Sequence, residues 1–138
     1  GVLASADAEL IAEMKKDVAI WNINSFAEFY MQIYGKYEKD YLRSCDKFRQ
    51  ERALFKAELD KIEYIRVIPS EANYFLCEIT DRFTSYELTL KLLTDYNILI
   101  KDCSAKKGFP TDRQYIRIAI RDRKDNHRLV GALSELGK

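Results

Sequence analysis

Ile98 to Leu133 reads ILIKDCSAKKGFPTDRQYIRIAIRDRKDNHRLVGAL, and this stretch decides the fold. Gln114–Ile120 is rich in β-branched residues and reads as a strand. Side chains alternate across a strand, so Ile116, Ile118 and Ile120 share one face while Tyr115, Arg117, Ala119 and Arg121 share the other. An all-isoleucine face belongs against helices. A face with two arginines must meet water or something anionic. Asn97–Lys101 reads as a preceding strand that repeats the pattern, with Ile98 and Ile100 on one face and Leu99 and Lys101 on the other. Two neighbouring strands that each bring one cation to a shared face would form a pocket for an acidic small molecule.

Outward from this core the period of the apolar pattern changes. Glu63–Ile68 and Asn73–Ile79 read as two more strands, joined by Pro69-Ser70-Glu71-Ala72. Thr84 with Glu87 forms a capping box for a helix bearing Leu88, Leu92 and Leu93. Asp102–Arg113 is a polar loop containing Gly108 and Pro110. Asp122 can cap a last helix whose apolar face is Leu129, Val130, Leu133 and Leu136, with Gly137 ending it. Toward the N-terminus the spacing predicts a helix over Leu3–Lys16 capped by Ser5 or Asp7, then an irregular link over Ile20–Ser25. A second helix runs from Ser25 to about Tyr34 and is broken by Gly35, and a longer one runs from about Glu38 to Leu59. Phe26, Phe29, Tyr30, Tyr41, Phe48 and Phe55 recur at helical spacing and read as core. The expected architecture is α+β: a small, mainly antiparallel four-stranded sheet packed on helices in a two-layer sandwich, with N-terminal helices. Residues 1–60 form a helical segment and 61–138 an α/β segment of one domain.

Bulk properties narrow the function. The chain of 138 residues carries 23 Lys+Arg against 22 Asp+Glu, a balance that argues against a general nucleic-acid or membrane surface. No stretch approaches the roughly 18 consecutive apolar residues that span a bilayer. Cys45, Cys77 and Cys103 are scattered without a CxxC, so neither a disulfide framework nor a zinc site is expected, and a reducing cytoplasm fits best. Gly1 opens the chain without methionine, which suits a processed protein or a piece of a longer one.

Arg117 is the leading candidate for binding a substrate anion, with Lys101 beside it. Lysine near a strand end commonly just blunts an edge, so the pairing carries the inference. Arg121 is expected to pair with a carboxylate at the start of the last helix, and His127 to sit on a solvated helix face. No serine or cysteine nucleophile is spaced for a triad with that single histidine. Lys106-Lys107-Gly108 lacks the pattern of a phosphate loop.

ILIKDC, the glycine-containing loop, YIRIAIR and DNHRLVGAL together resemble the C-terminal end of fold-type I pyridoxal-phosphate enzymes, above all histidinol-phosphate aminotransferases and threonine-phosphate decarboxylases. Val67–Phe75 resembles the family's pre-strand segment, and Trp21-Asn22-Ile23-Asn24-Ser25 the link before its long helices, so the similarity covers essentially the whole chain. The resemblance implies that Arg117 grips the substrate α-carboxylate in a bidentate pair. Lys101 stands where the two groups commonly carry an arginine that helps bind a distal phosphate; lysine keeps the charge and loses the fork. Arg121 replaces a frequent glycine of the aminotransferases and looks more like the decarboxylases. Asn24 and Arg121 are secondary site candidates.

The resemblance also implies what lies elsewhere. The family's Schiff-base lysine precedes a glycine matched by Gly1, and its cofactor-holding residues lie in a large domain further upstream. The expectation is therefore an excised small domain of a pyridoxal-phosphate aminotransferase acting on a small, possibly phosphorylated, amino acid, inert by itself. Its parent enzyme would be a homodimer without nucleic-acid or membrane partners. An amino-acid-phosphate decarboxylase is the alternative on the same fold. A non-enzymatic binding module stacking bases on Tyr74 and Tyr115 is the alternative from another class, and an interaction domain fused to a nucleotidyltransferase-like module is a third.

Overall fold

The computed structural model describes residues 3–19 and 23–138. The link residues Ile20, Trp21 and Asn22, and the match to Gly1, lie outside the described residues. The elements in chain order are α1 (Ala8–Asp17), α2 (Ser25–Leu59), β1 (Ile65–Ile68), β2 (Tyr74–Ile79), α3 (Ser85–Tyr96), β3 (Lys101–Asp102), β4 (Gln114–Ala119) and α4 (Arg123–Leu136). They divide into two compact units, residues 1–43 and 44–138.

In the second unit, four strands form one antiparallel sheet in the order β1-β2-β4-β3, the α+β architecture expected. Register follows the apolar pattern. Ile116 stands opposite Cys77 and Ile118 opposite Phe75, and all four are buried beneath the helices. Phe55 and Leu59 from the end of α2, Leu88 and Leu92 from α3, and Leu129 and Leu133 from α4 complete that core. Phe55 meets Phe75 with ring centroids 6.0 Å apart. Each fully enclosed isoleucine or leucine contributes on the order of 1.5–3 kcal/mol.

The helix ends are set as the sequence indicates. Thr84 Oγ1 accepts from the Glu87 N–H at 3.2 Å, and Glu87 Oε2 accepts from the Thr84 N–H at 2.9 Å. Asp122 accepts from the Asp125 N–H at 2.9 Å to start α4. At the other end Gly137 follows Leu136; a Cβ there would lie 3.0 Å from the Tyr64 ring. In the first unit Asp7, not Ser5, caps α1, its carboxylate accepting from the Leu10 N–H, so the helix begins at Ala8 instead of Leu3.

Three expectations are corrected. Gly35 does not break a helix: α2 runs unbroken from Ser25 to Leu59. One interior glycine costs roughly 1 kcal/mol relative to alanine, which flanking good helix formers outweigh. Asn97–Ile100 is not strand, and β3 is only Lys101–Asp102. Asn97 takes the left-handed conformation (φ 54°) that closes α3, and the Ile98 N–H donates to the Leu92 carbonyl at 2.9 Å, so helix-end hydrogen bonds claim the segment first. Finally, the aromatic series is not a core. Phe26, Phe29, Tyr30 and Tyr41 are exposed, Phe26 at 86 %; Phe48 is half-buried and only Phe55 fully buried. Tyr34 bridges Tyr30 and Tyr41 along α2, at 5.9 and 5.8 Å between centroids.

Candidate functional site

The face of the sheet away from the helices carries the candidate site. Lys101 on β3 lies directly opposite Arg117 on β4, and directly opposed residues project to the same face with Cβ atoms about 4.5–5.5 Å apart. Both side chains are exposed. Like charges directly opposed across a strand pair are destabilising, so the arrangement is not one that favours stability. Among the described residues no carboxylate pairs with either cation. Arg117 instead lies over the Tyr74 ring, 5.0 Å from guanidinium carbon to centroid. At that distance the ring's negative face attracts the cation without consuming its N–H donors.

The neighbouring rung on the loop side is built differently. Glu78, opposite both Arg66 and Tyr115, is nearly buried and takes a charge-assisted hydrogen bond from Arg66 Nε at 2.7 Å, with Arg113 at 3.6 Å. That rung thus has a carboxylate shared by two arginines, whereas the Arg117–Lys101 rung has no carboxylate partner among the described residues. Tyr115 and, on its other side, Cys103 complete the same rung as Glu78, and the following loop covers them: Phe109 packs on Tyr115 at 5.0 Å between centroids, and both are buried or half-buried. Burial pushes the Cys103 thiol up, opposed by the positive fields of Lys106, Arg117 and Lys101.

Arg121 does not join the cation pair. It lies past the end of β4, where its Nε donates to Asp125 Oδ2 at 2.5 Å, a pairing at the start of α4 that raises the arginine's pKa and lowers the aspartate's. Asn24 acts as a helix cap, its Oδ1 accepting from the Ala27 N–H at 2.9 Å. His127 is exposed, 3.2 Å from Glu58. All three cysteines are free, and no cluster of metal-ligating side chains occurs among the described residues.

Two contributions escape the sequence reading, which names Tyr74 only as a surface for stacking bases and Asn126 not at all. Tyr74 carried no signal of its contact with Arg117, because that contact depends on the β2–β4 register. Asn126, in the first turn of α4, is buried; its Oδ1 accepts from the Arg121 N–H, and its Nδ2 donates to the Arg121 carbonyl and to Glu51. This clamp fixes where α4 leaves β4 and so holds the strand that presents Arg117.

The chain matches the aminotransferase class I and II family over residues 1–133. It belongs to that family. Among relatives of this class I and II chain, CMP-5'-(3-aminopropyl)phosphonate synthase of Streptomyces rubellomurinus is 32 % identical over 99 % of the chain and 22 % of its own length. Threonine-phosphate decarboxylase of Salmonella typhimurium is 31 % identical over 96 % of the chain and 35 % of its own length. The crystal structure of the histidinol-phosphate aminotransferase from Clostridium acetobutylicum superposes with a TM-score of 0.78 at 31 % identity, covering 94 % of this chain and 38 % of that one. The chain therefore spans between about a fifth and two-fifths of the length of these proteins.

Pyridoxal phosphate is the cofactor of this aminotransferase family. The described residues do not make its berth. Binding it covalently takes an amine desolvated enough to lose its proton, and a counter-ion for the ring nitrogen. No lysine of the chain is buried, and Glu78, the carboxylate on the open face, is already shared by Arg66 and Arg113.

Proposed function

We propose that this chain is the substrate-binding small domain of a larger pyridoxal-phosphate enzyme that transfers the amino group of a small, possibly phosphorylated, amino acid. The observation that supports the reading is the Arg117–Lys101 rung, two opposed cations with no carboxylate partner among the described residues. Arg117 would hold the α-carboxylate in two parallel N–H···O bonds, oriented by Tyr74 beneath it, and Lys101 would meet a second anionic group. The cofactor supplies the electron sink when bound, and this domain fixes the direction of the bond to be broken. On this reading the chain alone is inert toward amino acids, since none of its lysines is desolvated.

The test uses the full-length enzyme that carries this sequence. A bidentate charge-assisted contact contributes about 1.5–3 kcal/mol, so Arg117→Ala lowers kcat/KM for the amino acid roughly ten- to a hundredfold or more, mainly through KM. The visible absorbance of the bound cofactor stays as in the wild type. Unchanged amino-acid kinetics contradict the assignment.

Decarboxylation is the second reading. It is supported by the 31 % identity to threonine-phosphate decarboxylase and by arginine at position 121. Product analysis separates the two: a keto acid for amino transfer, carbon dioxide and an amine for decarboxylation.

A further inference from the structure

β3 is two residues long, and one of the two is Lys101. So short a strand has little ladder of its own to hold it. Asn97–Ile100 before it is not strand, and Cys103 after it adds one bond, from its N–H to the Tyr115 carbonyl at 3.0 Å. Alternation sends Lys101 to the open face with Arg117, and Asp102 to the face of Ile116, which the helices cover. A carboxylate turned toward an apolar layer costs free energy unless hydrogen-bond donors meet it there. Three do. The Ser104 N–H donates at 2.8 Å and the Ser104 hydroxyl at 2.7 Å from the loop side, and the Ser85 hydroxyl reaches it from α3.

The Thr84–Glu87 box fixes the first turn of α3, and Ser85, the first residue of that helix, is wholly buried. Its N–H donates to Gln114 Oε1 at 3.0 Å, and Gln114 opens β4. Ser85 Oγ lies 3.1 Å from that same oxygen, but a hydroxyl has one proton to give. Gln114 Oε1 already holds the N–H, and an ionised carboxylate is the stronger acceptor, so the hydroxyl proton belongs to Asp102. One buried residue of α3 thereby holds β4 through its backbone and β3 through its side chain. Those are the two strands whose opposed residues are Arg117 and Lys101.

We propose that Asp102 is a positioning residue for substrate binding: tied to Ser85 on the helix side of β3, it holds Lys101 in register with Arg117 on the open side. The proposal rests on the substrate-binding reading above and deepens it by naming what fixes the second of the two cations. Asp102 is turned away from the open face, so it acts through Lys101 and not on the substrate. A lysine is a point charge on a flexible four-carbon stem. What the fold can set is where that stem is rooted, and the root is a two-residue strand anchored by its other member.

The experiment is a double-mutant cycle on the full-length holoenzyme. The probe is O-phospho-L-serine, a small amino acid bearing a second anion, and its Kd is read from the change in the bound cofactor's visible absorbance. Lys101→Ala weakens binding about tenfold or more, as loss of a charge-assisted contact requires. Asp102→Asn keeps the side chain's size and weakens binding about three- to tenfold. In the Lys101→Ala background the same change has less than about a twofold effect, because nothing is left to position. Ser85→Ala keeps the carboxylate and tests the tie alone: it shifts Kd in the same direction by a smaller factor and is likewise silent once Lys101 is gone. An Asp102→Asn effect of equal size in both backgrounds is a general loosening of the fold and overturns the proposal. Wild-type affinity in Asp102→Asn or in Lys101→Ala overturns it too. The substrate-binding reading fails separately, if Arg117→Ala leaves the affinity unmoved, so the two failures are told apart.

Discussion

Ile116 and Ile118 are fully enclosed, while Arg117, between them in the chain, lies open beside Lys101. The same strand thus serves two faces under opposite demands. Toward the helices, residues are chosen to exclude water. Toward the other side, two cations stand opposed without a counter-ion, at a small cost in stability. The difference teaches that in this sheet a shift of one residue separates what holds the fold from what stands open to solvent. On the loop side, the next rung of this face holds Glu78 between Arg66 and Arg113 and is covered where Phe109 packs on Tyr115; on the other side Tyr74 lies against Arg117.

That contrast breaks most visibly at Ile118. Ile118→Ala empties a closed site and is expected to lower unfolding free energy by about 2–5 kcal/mol in a denaturant titration. Arg117→Ala, one residue away, is expected to stay within about 0.5 kcal/mol of wild type. If the arginine variant lost as much as the isoleucine variant, the two-face account would be wrong.

Asn126→Ala sharpens the comparison at the junction of the layers. It leaves the Arg121 N–H and carbonyl and one Glu51 oxygen short of a partner, for an expected loss of about 1–3 kcal/mol. Glu51 itself is pushed up by burial, but hydrogen bonds from Asn126 and Arg123 outweigh this and leave its pKa lowered. An Asn126→Ala variant as stable as wild type would show that α4 is held by its apolar face alone.

The smallest expected effect is in pH dependence. Burial pushes Asp102 up, yet hydrogen bonds from the Ser104 N–H and the Ser85 and Ser104 hydroxyls win, and its pKa lies below the ordinary 3.8. A group depressed on folding adds stability that is full above its unfolded value and fades as pH falls through the folded one. Thermal midpoints of wild type and Asp102→Asn should therefore differ near neutrality and converge in strong acid. A gap independent of pH would assign the aspartate a purely structural role.

Much of this was legible in the residues. The Thr84–Glu87 box, the Asp122 cap and the isoleucine alternation of β4 are local codes, and the structure obeys them. The shared face of Arg117 and Lys101 followed from alternation on two strands, even though β3 proved to be two residues long. The failures have one physical root. Helical spacing of Phe26, Phe29, Tyr30 and Tyr41 tells which residues share a face of α2, but not whether another element covers it. Tyr74 beneath Arg117 and the clamp of Asn126 are likewise products of register and of helix placement, which no short motif encodes.

The most direct measurement compares two ligands on two proteins: an amino-acid substrate and its analogue lacking the α-carboxylate, each bound to full-length wild type and to Arg117→Ala. Wild type should favour the carboxylate-bearing ligand by roughly ten- to a hundredfold, and the variant should bind the two about equally. The same preference in both proteins would contradict the claim that the open guanidinium on β4 is what recognises the acid.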